Sequence, residues 1–194
     1  MQPATHLLYL HGFRSSPQSF KAQRLARWLR ANRPDVHWWC PQLPPSPREA
    51  WSLIRQGTAD WPVDTSAVVG SSLGGFYATA LAEAMGCKAL LLNPAIDPAR
   101  DLGKYIGEQT QFHRPEERFD FRAEYLEQLQ ALHLPSITHP ERYAAIIAKG
   151  DEVLDWREMT SRYPGARLLL LEGSDHSITD FEDHLPFLLE FVLS

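Results

Sequence analysis

Short apolar segments recur along this chain, and most of them are separated by segments whose apolar residues are spaced as in a helix. The apolar segments show little alternation with polar residues, which is typical of parallel strands buried on both faces of a sheet. Helices then cover both faces. The sequence therefore predicts a three-layer α/β/α fold with about six mostly parallel strands. We place these strands at residues 6–10, 36–40, 67–69, 89–92, 143–148 and 167–171.

Helices are predicted between the strands. The first begins near Ser16-Pro17, because Ser16 can cap a helix and Pro17 suits its first turn. The remaining helices are expected at 47–56, 73–85, 155–163 and 181–193.

Trp38 and Trp39 are neighbours in a strand, so their rings should enter different helical layers.

The segment 96–140 interrupts this rhythm. It is charged, contains several aromatic residues and has helical spacing around 121–132. A structureless loop of this length would be unusual in a compact domain. We therefore predict a helical cap or lid inserted at 96–140 over one end of the sheet, within a single domain covering 1–194.

Charge and cysteine content exclude several function classes. The formal net charge is −5, whereas a nucleic-acid binder needs a basic face to neutralise phosphates. The basic residues between Lys21 and Arg33 fall in one predicted helix and are interpreted as a solvated face. Cys40 and Cys87 form no CxxC pair, and no run approaches the ~20 apolar residues of a membrane span. We expect a cytoplasmic protein without a membrane span.

Polar or glycine-containing segments follow four of the predicted strands. In an open parallel sheet, ligands bind beyond the carboxyl ends of the strands, so these segments should meet at one edge. They are His11-Gly12-Phe13, Gly70-Ser71-Ser72-Leu73-Gly74, Gly150-Asp151 and Gly173-Ser174-Asp175-His176.

The Gly70-x-Ser72-x-Gly74 pattern lies between a predicted strand and a helix rich in small residues. This is typical of a nucleophile elbow, in which a serine on a sharp turn presents its hydroxyl above an α/β-hydrolase sheet. Glycines two residues to either side allow the chain to bend this tightly. Ser72 is therefore the predicted nucleophile, and Ser71 does not fit the spacing.

A serine hydroxyl needs a base to remove its proton during attack. His176 is the preferred base, because the order Ser72, Asp151, His176 is the one found in α/β-hydrolases. His184 is a weaker alternative, since it falls inside the last predicted helix. His113, His133 and His139 are interpreted as surface or structural residues.

The base in turn needs a carboxylate to fix its tautomer. Asp151 directly follows a strand and is preferred. Asp155 is better explained as a helix cap, because Asp155-x-x-Glu158 resembles a capping box. Asp175 is adjacent to His176 and poorly placed to reach its side chain.

Attack would build negative charge on a substrate oxygen, which backbone amides can receive. The N–H groups of Leu73 and Phe13 are the predicted oxyanion-hole donors. His11 and Gly12 are expected to support the loop that carries Phe13. The sequence has no nucleotide-binding loop and no HExxH or clustered metal-ligand spacing, so we predict neither a cofactor nor a metal.

These segments together resemble the bacterial YqiA-type esterases of the α/β-hydrolase superfamily. The resemblance is carried by Leu8 to Phe13, Ser15-Ser16-Pro17, Pro41 to Pro45, Gly70 to Thr79, Asn93-Pro94-Ala95, Gly150 to Asp155, and His176 with Phe181-Glu182-Asp183 downstream. It implies a small cytoplasmic esterase acting on acyl esters or acyl thioesters, with Ser72, Asp151 and His176 as its triad. The family commonly has Gly-Gly-Asn-His around the base, and this chain has Gly173-Ser174-Asp175-His176 instead. The segment 96–140 resembles the family only loosely.

The leading hypothesis is a serine hydrolase that cleaves small-molecule acyl esters or thioesters through an acyl-enzyme. A peptidase or lyase using the same triad stays open, because one fold hosts many functions. A third alternative is a hydrolase-fold binding or scaffold protein without turnover. The oligomeric state is not predicted.

Overall fold

The computed structural model describes residues 3–194 and contains eight strands in that range. In chain order they are β1 (His6–Leu10), β2 (His37–Trp39), β3 (Ser66–Ser71), β4 (Lys88–Leu92), β5 (Gly107–Thr110), β6 (Arg118–Phe121), β7 (Tyr143–Ala148) and β8 (Arg167–Leu171). Six of them form a parallel sheet in the order β2-β1-β3-β4-β7-β8, while β5 and β6 pair as an antiparallel hairpin. The predicted six-stranded parallel sheet is confirmed.

Seven α-helices lie between or after these strands in the described range: α1 (Phe20–Asn32), α2 (Pro47–Gly57), α3 (Leu73–Met85), α4 (Pro98–Leu102), α5 (Glu124–Leu132), α6 (Trp156–Arg162) and α7 (Phe181–Leu193). Helices α1 and α7 pack on one face of the sheet, and α2, α3, α5 and α6 contribute to the core on the other. Trp38 packs with the first of these cores and Trp39 with the second, as expected from their alternation. None of the helices in residues 3–194 is both long and apolar enough to cross a membrane.

The strand register brings the carboxyl ends of the sheet together. Leu10 lies opposite Gly70, Ser71 lies opposite Leu92, and Ala148 lies opposite Leu171. The four segments singled out in the sequence therefore leave the sheet at the same edge, as the parallel arrangement requires.

Helix α1 begins at Phe20, and the prediction of a start near Ser16-Pro17 is wrong. The Ser16 hydroxyl accepts a hydrogen bond from the Gln18 amide at 3.1 Å, and the Ser16 carbonyl accepts one from the Ser19 amide at 3.0 Å. Ser16 therefore caps a turn ahead of the helix, because a serine side chain can stabilise a turn as readily as a helix start.

The segment 96–140 contains the expected helices, α4 and α5, together with a β5–β6 hairpin that the sequence did not predict. Phe121, expected near the start of a helix, lies in β6. The hairpin contacts the loop after β1, since the ring of Phe13 lies 5.1 Å from that of Phe121 and 6.1 Å from that of Phe119. Its place over the carboxyl edge is consistent with a cap, which we retain as a proposal.

Candidate active site

Ser72 occupies a strained turn between β3 and α3. Its φ and ψ of 54° and −119° lie where side chains are rarely found, so the surrounding backbone must hold the turn in place. A Cβ atom at Gly70 would collide with the carbonyl of Gly74, and one at Gly74 would collide with the carbonyl of Leu10. Both glycines are therefore needed for α3 to start this close to the ends of β3 and β1.

The structure brings Ser72, His176 and Asp151 into one hydrogen-bonded chain. Ser72 Oγ lies 3.1 Å from His176 Nε2, and His176 Nδ1 lies 2.7 Å from Asp151 Oδ2. The Asp151 side chain is fully buried, whereas that of His176 retains 19% exposure. The imidazole thus reaches solvent-accessible space while its carboxylate partner is withdrawn from water.

The second carboxylate oxygen of Asp151 also accepts hydrogen bonds. Asp151 Oδ1 accepts hydrogen bonds from the amides of Val153 and Leu154, each at 2.8 Å. Buried charge is costly unless its hydrogen bonds are made, and these two amides together with the imidazole make them here. They also fix the rotation of the carboxylate, so Oδ2 points at His176.

His11 is buried beneath the loop that carries Phe13. Its Nδ1–H donates to the Gly12 carbonyl at 2.9 Å, and its Nε2 accepts from the Leu43 amide at 3.0 Å. An imidazole that accepts at one nitrogen and donates at the other must be neutral. Burial accordingly lowers the pKa of His11 to about 4, with the nearby His113 acting in the same direction and the Gly12 carbonyl opposing it.

Two backbone amides near Ser72 are free to receive a substrate oxygen. Within residues 3–194, the N–H groups of Leu73 and Phe13 donate to no protein acceptor. The Gly12 carbonyl belongs to the same peptide as the Phe13 N–H, so the hydrogen bond from His11 also fixes the direction of that N–H. The two amides therefore stay candidate donors to an oxyanion.

Two cavities meet at the Gly12-Phe13 segment. The larger, of about 540 Å³, is lined by Ser72 and His176 together with Phe20, Lys21 and Thr179. The smaller, of about 360 Å³, is lined mainly by apolar side chains, among them Leu53, Leu73, Tyr77 and Phe119. Volumes of this size are typical of small-molecule sites.

The other acid and base candidates are hydrogen-bonded neither to Ser72 nor to the ring of His176 in the described residues. His184 Nε2 pairs with Oδ2 of Asp180, the residue that precedes α7, at 2.9 Å. Asp155 caps α6 by accepting from the Arg157 amide. Asp175 Oδ1 accepts from the Thr179 amide at 3.0 Å. In the described part of the chain, no group of three or more His, Cys, Asp or Glu residues is arranged to hold a metal ion.

A family model described as "Uncharacterised protein family (UPF0227)" matches residues 6–193, nearly the whole chain. The chain belongs to the UPF0227 family. This is the YqiA-like family that the sequence motifs resemble.

Solved structures similar to this UPF0227 protein share its fold at low sequence identity. A protein from Agrobacterium vitis S4 superposes with a TM-score of 0.76 at 16% identity, covering 100% of this chain and 91% of that one. Alpha/beta hydrolase domain-containing protein 10 from mouse gives 0.70 at 16%, with 98% and 92% covered. Est1E from Butyrivibrio proteoclasticus with bound ferulic acid gives 0.67 at 16%, with 99% and 91% covered. The α/β-hydrolase fold is thereby established for the UPF0227 chain.

Sequence reasoning missed two features of the site in this UPF0227 protein. Lys21, interpreted as part of a solvated helix face, lines the larger cavity, and its Nζ donates to the Ser177 carbonyl at 2.6 Å. Burial lowers the pKa of Lys21 to about 8, opposed by the charges of Asp175 and Asp151. The late start of α1 places Lys21 in the first helical turn, and no local pattern signalled that start.

Arg14 is the second missed feature. It has a left-handed φ of 60°, and its Nε donates to the Thr110 carbonyl at 2.7 Å. Its guanidinium also lies 4.5 Å from the centre of the Phe112 ring. Arg14 therefore attaches the β5–β6 hairpin to the loop that carries Phe13, a contact that the sequence could not predict without the hairpin.

Proposed function

We propose that this protein is a serine hydrolase that cleaves carboxylic esters or thioesters through an acyl-enzyme intermediate. The observation that carries the proposal is the chain of hydrogen bonds from Ser72 through His176 to Asp151. This chain of hydrogen bonds lies beside the Leu73 and Phe13 amides, which donate to no acceptor in residues 3–194, and opens into the larger cavity. A hydroxyl, a base, a buried carboxylate and preorganised N–H donors are the parts that acyl transfer requires.

The proposed reaction has two halves. Ser72 Oγ attacks the substrate carbonyl carbon as His176 Nε2 takes its proton, and the Leu73 and Phe13 amides hold the oxyanion. The bond to the leaving group then breaks, and His176 returns the proton to the departing oxygen or sulfur. A water molecule attacks the acyl-Ser72 ester, again giving a proton to His176. The bond between the acyl carbon and Ser72 Oγ then breaks, and His176 returns the proton to Oγ, which restores the hydroxyl and releases the acid.

The two cavities suggest how an ester would lie. The group that protonates the leaving atom must be next to it, and His176 lines the larger cavity but not the smaller. We therefore assign the leaving group to the larger cavity. The acyl chain would then occupy the smaller, largely apolar cavity beside Leu53 and Tyr77. Apolar lining favours an acyl group without charge.

The proposal is tested by covalent labelling with a fluorophosphonate probe. Wild-type protein should be labelled, and the Ser72→Ala variant should not. The matched control is Ser66→Ala, at the opposite end of β3, where the hydroxyl donates to the Pro62 carbonyl. It should be labelled like the wild type. Hydrolysis by Ser72→Ala should fall by up to ~10⁶ in kcat.

A substrate panel separates the alternatives that use the same residues. It should contain acyl esters, acyl thioesters and aminoacyl amides matched in the acyl group. Turnover of esters or thioesters supports the proposal, and cleavage of amides alone would replace it with a peptidase. A folded wild-type protein that is neither labelled nor active on any of them would contradict the proposal and favour a binding role.

A further inference from the structure

Asn93 directly follows β4 and is almost completely buried, with 1% of its surface exposed. Its φ of 42° lies in the left-handed region, which asparagine tolerates better than most residues with a side chain. A buried amide side chain is costly unless its polar atoms are hydrogen-bonded. The contacts of this side chain therefore indicate what holds it there.

The Asn93 side chain joins two other segments of the chain. Its Oδ1 accepts from the Ala148 amide at 2.8 Å, and its Nδ2 donates to the carbonyls of Asp175 and His176, both at 3.0 Å. Because the Ala148 N–H can only donate, the atom that faces it must be the oxygen. Both protons of Nδ2 are thus directed at the two carbonyls of the loop that carries His176.

The backbone around Asn93 also holds the turn at Ser72. The Ser72 amide donates to the Leu92 carbonyl, and the Ala95 amide donates to the Ser72 carbonyl, both at 3.0 Å. The segment 92–95 is therefore bonded to the turn that carries Ser72, to the end of β7 three residues before Asp151, and to the loop that carries His176.

The sheet order explains why such a connection matters. Strand β3, which ends at Ser71 immediately before Ser72, is separated from β8 by β4 and β7, so no strand ladder pairs β3 directly with β8. The distance between Ser72 and His176 therefore depends on the two intervening strands and on contacts above the edge of the sheet. Asn93 lies at the end of β4, one of these strands, and makes two contacts above the edge, to the carbonyls of Asp175 and His176.

We propose that Asn93 is a positioning residue that sets the separation of Ser72 and His176 by fixing the His176 loop to β4. The inference rests on the proposed function, because its readout is hydrolysis. Asn93 touches neither the nucleophile's oxygen nor the imidazole ring in the described contacts, so its effect should fall on the chemical step and leave substrate binding nearly unchanged.

Two variants test this in the chain of 194 residues. Asn93→Asp keeps the size of the side chain and an acceptor for the Ala148 amide, but it sets an oxygen against the carbonyls of Asp175 and His176. Asn93→Gly removes the side chain and accepts the left-handed φ without strain. Each should lower kcat for a neutral ester by about 10²-fold, because small misplacements of reacting groups carry such costs. KM should stay within about threefold, and the rate of fluorophosphonate labelling should fall with kcat.

Thr58→Val is the control for loss of a buried hydrogen bond. The Thr58 hydroxyl donates to the Ile54 carbonyl at 2.9 Å at the end of α2, outside both cavities. This variant should melt at a lower temperature and keep the wild-type kcat. Melting curves and near-UV circular dichroism establish that every variant is folded during the assay.

The possible results separate clearly. A fall in kcat at constant KM in either folded Asn93 variant supports the proposal. Wild-type kcat in every folded Asn93 variant, or a change in KM alone, overturns it, and so does failure of both variants to fold. If the wild-type protein itself shows neither hydrolysis nor labelling at Ser72, it is the proposed function that fails.

Discussion

A Cβ atom built on Gly12 would lie 3.2 Å from the Cβ of Ser72 and 3.7 Å from its Oγ. The loop that carries the Phe13 amide therefore packs directly against the proposed nucleophile. Ser72 itself has little freedom to move, since its backbone already lies in a strained conformation.

We predict that Gly12→Ala lowers kcat/KM for ester hydrolysis by about 10-fold to 10²-fold, because the added methyl group displaces the Phe13 amide or the Ser72 hydroxyl by a few tenths of an ångström. Steady-state kinetics would measure this. Gly173→Ala is the matched control, since a Cβ there meets nothing within 4 Å. Equal kinetics in the two variants would contradict the assignment of Phe13 to the oxyanion hole.

Asp151→Asn should lower kcat by roughly 10⁴, because the amide can no longer fix the reactive tautomer of His176 or support its positive charge. Asp155→Asn should have almost no effect, since Asp155 caps α6 and asparagine caps equally well. Both kcat values are measured at saturating ester. A loss below tenfold in Asp151→Asn would remove Asp151 from the proposed mechanism.

Protonation of His11 should destabilise the protein in acid. The pKa of His11 is about 4 in the folded state, below its ordinary value of 6.5. Between these values the unfolded chain binds a proton that the folded chain does not, so the free energy of unfolding decreases as pH falls from 6.5 to 4. The full loss is up to about 3 kcal/mol, and this contribution is constant above and below that window.

Urea unfolding of the wild type and of His11→Gln between pH 8 and pH 4 isolates this contribution. The variant should be less stable at pH 8, because it disturbs the hydrogen bonds to Gly12 and Leu43, but its stability should depend less on pH. Parallel curves for the two proteins across the window would show that His11 is not the group responsible.

Leu53→Trp should shorten the acyl chains that the protein accepts. The added bulk would fill the smaller cavity, so kcat/KM for octanoyl esters should fall by about 10-fold or more, while acetyl esters change by less than about threefold. Thr179→Trp, in the larger cavity, should instead discriminate against bulky alcohol groups. A reversed pattern would exchange the assignments of acyl and leaving group between the cavities.

The sequence by itself determined the parallel strands, most of the helices and the residue types at their ends, but not the β5–β6 hairpin or the start of α1. Strands β1, β7 and β8 and helices α3 and α7 lie at the predicted bounds, because apolar periodicity and turn residues act over a few positions and are visible locally. The same locality made the strained turn at Ser72 predictable, since the glycines that permit it are two residues away.

Only the tertiary structure decided which distant groups support these residues. Asn93 acquires its contacts from the position of β4 between β3 and β7, and Lys21 enters the cavity because α1 begins at Phe20. Strand order and the packing of a hairpin over the edge follow from the burial of the whole chain, in which side chains far apart in sequence compete for the same space. Local patterns do not carry that information.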